Sequence, residues 1–326
     1  MLRSCYFLSA LLFAVFLGAC GGGRTAIAGV PDVGSRAMRT LRANRVDSMV
    51  AVDAAPSKYR IYVPDLGGDR VTAYSPKGKL TLTITADING PFAVAVDQAG
   101  KIYVANDFPN SFSGNVTTYT PDGKQTTPTI TAGIDYPQGI LVTKSGKIYV
   151  SNFSGYGGKG SVTTYNSEGT QTAPTITDGI FGPVGLAVDA SGKIYVANCS
   201  NNSVTTYEPD GTQTAPTITA GLDCPTGIAV DANGKIYVAN YGGGSNTGSI
   251  TTYTASGTQT TPTINVGIGN PDGLAVDASG KIYVSNVNGP GTEGGFGCVT
   301  TYRANGKQTA PTIIKEIIYP EVITLH

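Results

Sequence analysis

The sequence predicts an all-β protein made of six similar units arranged around one axis. A sixteen-residue phrase at 183–198 returns with small changes at 91–106, 137–152, 225–240 and 271–286, and a degenerate copy begins at Met49. The lysine of its Gly-Lys-Ile-Tyr-Val core recurs 46, 46, 42 and 46 residues apart, and Arg60 takes its place in the first copy. Repeats of this length indicate an array of identical supersecondary units. The equivalent lysines are Lys101, Lys147, Lys193, Lys235 and Lys281.

Each unit carries four short strand patterns. In the fourth unit they are 186–188, 194–196, 204–207 and 216–219, rich in Val, Ile, Thr and Tyr. The first two are joined by Asp-Ala-Ser-Gly-Lys, a hairpin loop with glycine where φ must be positive. Six such units predict a six-bladed β-propeller of four-stranded antiparallel blades. Consecutive apolar positions further predict sheets covered on both faces by neighbouring blades.

Composition agrees with this fold and excludes some partners. The chain has 44 glycines and 18 tyrosines, and 13% of its residues are charged, as expected of short strands joined by tight turns. Lys+Arg and Asp+Glu are 22 each, so no net charge attracts nucleic acid. We expect a monomer without a cofactor.

The repeated phrase G-[IL]-A-V-D-x-x-G-K-I-Y-V-A-N resembles the NHL repeat over about residues 49 to 325. The resemblance implies a propeller but leaves function open, because NHL propellers serve as enzymes, binding modules and scaffolds. One departure concerns the residue after the second strand, which is often aspartate in the family. Here it is Asn106, Asn152, Asn198, Asn240 and Asn286.

The N-terminus predicts export with a lipid anchor. Arg3 precedes an apolar run at 7–17 that ends in Leu-Gly-Ala-Cys at Cys20, which resembles the lipobox of bacterial lipoproteins. The resemblance implies cleavage before Cys20 and acylation there, including palmitate; the alternative is an ordinary signal peptide. The predicted domains are a signal peptide (1–19), a lipidated flexible tether (20–48) and the propeller (49–326). Gly21 in place of aspartate favours the outer over the inner membrane of a bacterial envelope.

Two segments compete to close the ring. Residues 49–53 read as a first strand for blade one, and residues 319–325 read as another. We expect the C-terminal segment to pair beside residues 60–63, because joining both chain ends in one blade protects the last interface.

The repeated polar residues suggest a metal site by likeness to metal-dependent propeller lactonases, which bind a divalent cation on the axis through carboxylates and amides. A site of that kind would use Asn106, Asn152, Asn198, Asn240 and Asp272. The aspartates of the first hairpin suit a turn instead, because their carboxylates accept backbone N–H groups, and Thr143 replaces one of them. We therefore predict no metal site and interpret the repeated residues as architecture. The hairpin aspartates are Asp97, Asp189, Asp231 and Asp277.

Tyrosine and histidine positions exclude further sites. Twelve tyrosines recur in second and third strands, from Tyr62 to Tyr302, and are predicted to pack between blades. The single histidine is His326, at the chain end, so no catalytic residue of the Ser–His or Cys–His kind is predicted in the ring.

The loops between second and third strands differ from blade to blade and emerge on one face, with the connections from each fourth strand to the next first strand. We call this side the loop face. Variable loops on a rigid frame commonly carry recognition. The predicted binding face consists of the aromatics Phe108, Phe112, Phe153, Tyr156, Tyr241 and Phe296.

The cysteines fit an oxidising compartment. Cys199 and Cys224 fall on the loop face of adjacent blades and are predicted to form a disulfide, whereas Cys298 stays free. The resulting prediction is a membrane-anchored envelope lipoprotein whose propeller binds a protein or glycan on the loop face. The alternatives are a metal-dependent lactonase-like hydrolase and a purely structural surface protein.

Overall fold

The computed structural model describes residues 59–108, 113–154, 159–242, 248–289, 296–313 and 317–326. The predicted signal, Cys20, the tether, the candidate strand at 49–53, Phe112 and Tyr156 lie outside these residues. In the part of the chain that is described, no helix is long and apolar enough to cross a membrane.

The described residues form six four-stranded antiparallel sheets, which confirms the predicted propeller. Blade one contains β1 (Ile61–Asp65), β2 (Arg70–Tyr74), β3 (Leu80–Ile84) and, from the chain end, β24 (Thr324–Leu325). Blade two contains β4 (Pro91–Val96), β5 (Ile102–Phe108), β6 (Ser113–Tyr119) and β7 (Gln125–Ile130). Blade three contains β8 (Pro137–Val142), β9 (Ile148–Asn152), β10 (Ser161–Tyr165) and β11 (Gln171–Ile176).

The other three blades repeat this arrangement. Blade four contains β12 (Pro183–Val188), β13 (Ile194–Asn198), β14 (Ser203–Tyr207) and β15 (Gln213–Ile218). Blade five contains β16 (Pro225–Val230), β17 (Ile236–Asn240), β18 (Ser249–Tyr253) and β19 (Gln259–Ile264). Blade six contains β20 (Pro271–Val276), β21 (Ile282–Asn286), β22 (Cys298–Tyr302) and β23 (Gln308–Ile313). The fourth strand of blade four thus begins at Gln213, three residues before the predicted start at Pro216, because pairing with β14 already starts at Tyr207 opposite Gln213.

The C-terminal segment closes the ring, as predicted. Leu325 pairs with Ile61 in antiparallel register, and Val322 forms a parallel bridge to Ala93 of blade two. The backbone N–H of Val322 donates to Phe92 O at 3.0 Å. The inner strands also approach closely: a Cβ on Gly273 would lie 2.6 Å from the Cα of Val322. Residues 317–326, hereafter the latch, therefore complete the inner ring without a covalent link to blade one.

The core lies between blades rather than within one sheet. Six hydrophobic clusters each draw side chains from two adjacent blades, and the second strands are buried except for Phe108 at the end of β5. The twelve predicted packing tyrosines are at most 3% exposed, which confirms their interpretation. Third-strand tyrosines also hold neighbouring blades together: Tyr207 donates its hydroxyl to Asp178 O at 2.7 Å.

The first hairpins use their aspartates as predicted for a turn. Asp189 Oδ1 accepts the backbone N–H groups of Ser191 and Lys193 at 2.8 and 3.0 Å, and its Oδ2 accepts the Tyr195 hydroxyl at 3.1 Å. In blade three, Thr143 Oγ1 accepts the N–H of Lys147 at 3.1 Å instead. Both residues therefore close the same turn, which glycine completes with a positive φ.

Candidate functional site

The asparagine at the end of each second strand holds the loop face to its blade. In blade four, Asn198 is fully buried; its Oδ1 accepts the N–H of Phe181 at 3.0 Å and its Nδ2 donates to Thr205 Oγ1 at 2.9 Å. The same two bonds recur in the four blades that carry Asn106, Asn152, Asn240 and Asn286. Each side chain thus fixes the connection entering its own blade.

These bonds bear on the metal site considered from the sequence. An amide oxygen that already accepts a buried backbone N–H cannot turn to a cation without leaving that donor unsatisfied. Among the described residues, no three His, Cys, Asp or Glu side chains converge as a metal-binding group. The asparagines therefore act as architecture, and of the proposed ligand set only Asp272 has different surroundings.

Asp272 belongs to the one position of the repeated phrase that differs in every blade. This position, the second residue of each inner strand, is hereafter the axial position. All six of its side chains are buried, between 2% and 5% exposed. They are Phe92, Gln138, Val184, Thr226, Asp272 and, in the latch, Glu321.

Two of these residues form a buried carboxyl pair. Asp272 and Glu321 occupy adjacent inner strands, where a Cβ on Gly273 would lie 2.9 Å from Glu321 O. Their side chains are 3% and 2% exposed and act directly on each other. Burial, followed by the neighbouring Asp272 carboxylate, raises the pKa of Glu321 well above its usual range. Burial likewise raises the pKa of Asp272, partly offset by its interaction with Glu321. Because two carboxylates in contact cannot both ionise at low cost, a proton on one of them stabilises the pair.

A third buried acid lies close by. Asp107 follows the asparagine of blade two, a position occupied by apolar or aromatic side chains in the other five blades. Gln138 Nε2 donates to Asp107 Oδ2 at 3.1 Å, whereas Asp107 Oδ1 is buried without a hydrogen-bond partner. Burial raises the pKa of Asp107 to about 8, opposed by the bond from Gln138. The charge of Asp107 also acts on Glu321, so the three acids form one electrostatic group. The five corresponding residues are Leu66, Phe153, Cys199, Tyr241 and Val287.

Sequence reasoning noted Asp272 but missed Asp107, Gln138 and Glu321. Asp107 looked like an ordinary loop residue, and Glu321 lies in a segment whose pairing the sequence left open. The available signal for Gln138 and Glu321 was the residue that follows the first proline of each inner strand, which varies inside an otherwise repeated phrase. Where the backbone is the same in every repeat, a residue whose side chain differs between repeats is a better site candidate than one that is present in every copy.

The predicted aromatic binding face is only partly exposed. Phe296 is 49% exposed, and Phe108 and Phe153 are half-buried. Phe153 packs on Tyr136 with ring centroids 5.7 Å apart. Tyr241 corrects the prediction: it is 7% exposed and lies beside the connection that enters blade six, where Asn270 Nδ2 donates to Tyr241 O at 3.1 Å.

Among the described residues, blade two has the longest pairing between its second and third strands. Its strands β5 and β6 pair as far as Phe108 and Ser113, two residues beyond the asparagine pair that ends other blades. Beside the hairpin is a cleft of about 550 Å³ with a largely polar lining. Its walls are Asp87, Ile88, Asn89, Phe108, Asn115, Thr117, Gln125 and Thr129.

The cysteines lie as the sequence suggested. Cys199 and Cys224 are joined by a disulfide that links blade four to the connection entering blade five. Cys298 is a free, buried thiol, and burial raises its pKa to about 11. A thiol that stays protonated is a poor nucleophile, so Cys298 has no catalytic character.

A family model matches part of the chain. Residues 182–207 and 222–250, which cover most of the inner strands of blades four and five, match the NHL repeat. The match and the six sheets support an NHL-repeat propeller. No curated protein sequence matches the chain.

Solved structures show the same fold at low sequence identity. A chain of a nidogen/laminin complex is 16% identical with a TM-score of 0.65, covering 82% of this chain and 98% of its own. A protein of unknown function from Bacteroides caccae is 14% identical with a TM-score of 0.64 and the same coverage. Virginiamycin B lyase from Staphylococcus aureus is 14% identical with a TM-score of 0.54, covering 79% and 81%. These likenesses establish architecture alone, and an NHL-type propeller suits a binding or scaffold module.

Proposed function

We propose that this chain is an exported bacterial lipoprotein, anchored through Cys20, whose propeller binds a protein or glycan ligand on the loop face. The observation that carries the proposal is the contrast between a repeated frame and unlike loops on one side of it. The asparagine network holds the connections that enter blades two to six, and the hairpin of blade two and the exposed Phe296 differ from their counterparts. Rigid frames that present unlike loops are typical of recognition surfaces.

The net charge of the chain favours specific binding over nonspecific electrostatic association. The chain has no net charge, so affinity has to come from shape and local contacts. Aromatic side chains provide such contacts, because each buries a large area at little entropic cost. The disulfide between blades four and five holds part of the same face in place.

Anchoring is tested on the full chain expressed in a bacterial host. We expect the mature protein to begin at Cys20 with acyl groups detectable by mass spectrometry and to fractionate with membranes. Cys20→Ser should abolish both acylation and membrane association, because at least two acyl chains are needed for stable attachment. An unmodified Cys20 in the mature wild-type protein would contradict the anchor.

Ligand binding is tested by chemical crosslinking in intact envelopes, followed by recovery of the full chain in detergent. We expect Phe108→Ser and Phe296→Ser each to reduce a specific crosslinked product at least about tenfold, which corresponds to about 1.4 kcal/mol of binding. Lys144→Ser serves as control, since this exposed residue lies in a first-hairpin turn, away from the loop face. Equal recovery from all three variants would refute a loop-face ligand.

A further inference from the structure

The ring closes through contacts that can separate without breaking a covalent bond. Glu321 N donates to Pro64 O at 3.1 Å, and the Ser285 hydroxyl donates to Glu321 O at 2.7 Å. Asp65 Oδ1 accepts the N–H groups of Ile318 and Tyr319 at 3.0 and 2.9 Å. The latch therefore bridges blade one to blade six, and its one buried acid, Glu321, lies at this junction.

The charged groups that act on Glu321 come from three strands, and all three are acids. Asp272 on β20 is next to it across the adjacent strand, and Asp107 on β5 and Asp65 on β1 act on it through space. The cation Arg70 on β2 is paired with Asp65, with Nη2 2.9 Å from Oδ2. Glu321 Oε2 is buried and accepts no hydrogen bond from a protein donor. A fully ionised Glu321 would thus lie among three other carboxylates, with its Oε2 buried.

We propose that the Asp272–Glu321 pair is a proton-dependent lock on ring closure, in which the shared proton keeps the latch seated against blades one and six. Loss of that proton places two negative charges in contact, and the repulsion is relieved when the latch leaves the ring and Glu321 enters water. The elements that separate are β24 from β1 and Val322 from β4.

The direction of the pH dependence follows from the raised pKa of both acids. In the open state Glu321 ionises near its ordinary pKa of about 4.3, whereas in the closed state it holds the proton to much higher pH. Opening therefore releases a proton. The bound proton stabilises the closed state fully below about pH 4. This stabilisation decreases as the pH rises towards the raised pKa of Glu321 in the closed state. One released proton makes the opening constant rise by up to about tenfold per pH unit in that window.

Hydrogen exchange by mass spectrometry on the full chain tests this lock. After correction for intrinsic exchange rates, we expect the latch peptide 317–326 to lose protection steeply between about pH 5 and pH 8. A peptide from β16, an inner strand that continues into the chain at both of its ends, should keep its protection. Glu321→Gln and, independently, Asp272→Asn should both flatten the profile of the latch, because each leaves one neutral hydrogen-bonding partner. Glu168→Gln, in an exposed turn of blade three, should leave the steep profile unchanged.

Two results would overturn the proposal. The first is protection of the latch that does not change with pH in the wild-type chain. A pH dependence of that protection that remains in both Glu321→Gln and Asp272→Asn would count equally against the proposal. The second is a wild-type profile that becomes flat on adding about 5 mM CaCl2 while the Glu321→Gln profile stays the same, since a bound cation stabilises only the state that binds it. That result would show that the carboxyl pair holds a cation rather than a proton.

Discussion

Blade one and the other five blades solve the same structural problem with different chemistry. In blades two to six, a neutral asparagine at the end of the second strand holds the incoming connection, as Asn198 does. In blade one this residue is Asp65, and its partner across the ladder is Arg70, where blade four has Ser203. Asp65 Oδ2 accepts a bond from Arg70 Nε at 3.0 Å while its Oδ1 holds two N–H groups of the latch.

The difference follows from connectivity. In blades two to six, the connection that the asparagine holds leads directly into the same blade. The chain itself therefore keeps the two partners close together. The latch has no such link to blade one, because some 250 residues separate the partners in sequence. A charged acceptor makes stronger bonds to N–H groups than a neutral amide does. Charge is therefore used at the one joint that must be closed by noncovalent contacts.

The comparison predicts that the joint is indispensable. Truncation after Tyr319 removes β24, the buried Ile323 and the partner of β1. We expect a loss of at least about 5 kcal/mol, from buried apolar area together with an exposed strand edge, measured as a fall in Tm and as rapid trypsin cleavage. Thr324→Ala, which keeps the backbone ladder, should stay within about 1 kcal/mol of wild type. A truncated chain as trypsin-resistant as wild type would mean that the ring is closed by other contacts.

The frame was predictable from sequence because it repeats. Six copies of a phrase fix strand number, turn type and blade order, and Thr143 showed that the hairpin aspartates belong to turns. The interaction of Asp107 with Glu321 was not predictable, because it arises only once the ring brings the chain end to blade two. Burial of Tyr241 also escaped prediction, since Tyr241 lies beside Asn270, which is 29 residues further along the chain.

The second prediction introduces the charge of blade one into an ordinary blade. Asn198→Asp keeps the acceptor for the Phe181 N–H but removes the donor to Thr205, and Ser203 offers no cation. We expect a loss of about 3 kcal/mol at pH 8 in urea unfolding, because an unpaired carboxylate would be buried. Burial raises the pKa of such a carboxyl, so the loss should shrink as pH falls towards 5 and the group regains a proton.

The control for this variant is Asn201→Asp, an exposed residue of the same loop whose Oδ1 accepts the Ser203 hydroxyl. It should change the free energy of unfolding by less than about 0.5 kcal/mol. If both variants behave alike, the buried network tolerates charge, and the contrast between blades has no energetic basis.

The third and smallest effect comes from the reverse exchange. Asp65→Asn retains the acceptor for Ile318 and Tyr319 but turns an amide towards Arg70, so one charge-assisted bond is lost. We expect a loss of about 2 kcal/mol in urea unfolding at pH 7, whereas Asp122→Asn, in an exposed ion pair, should have no measurable effect.

Combining Asp65→Asn with Arg70→Ser recreates the residue pair of blade four and removes the unmatched cation. If the ion pair and the neutral pair are interchangeable solutions, the double variant should recover at least half of the loss of the single one. If the double variant is instead the less stable, the charge itself is needed to hold the latch. That outcome would mean that the noncovalent joint demands a stronger acceptor than the continuous blades do.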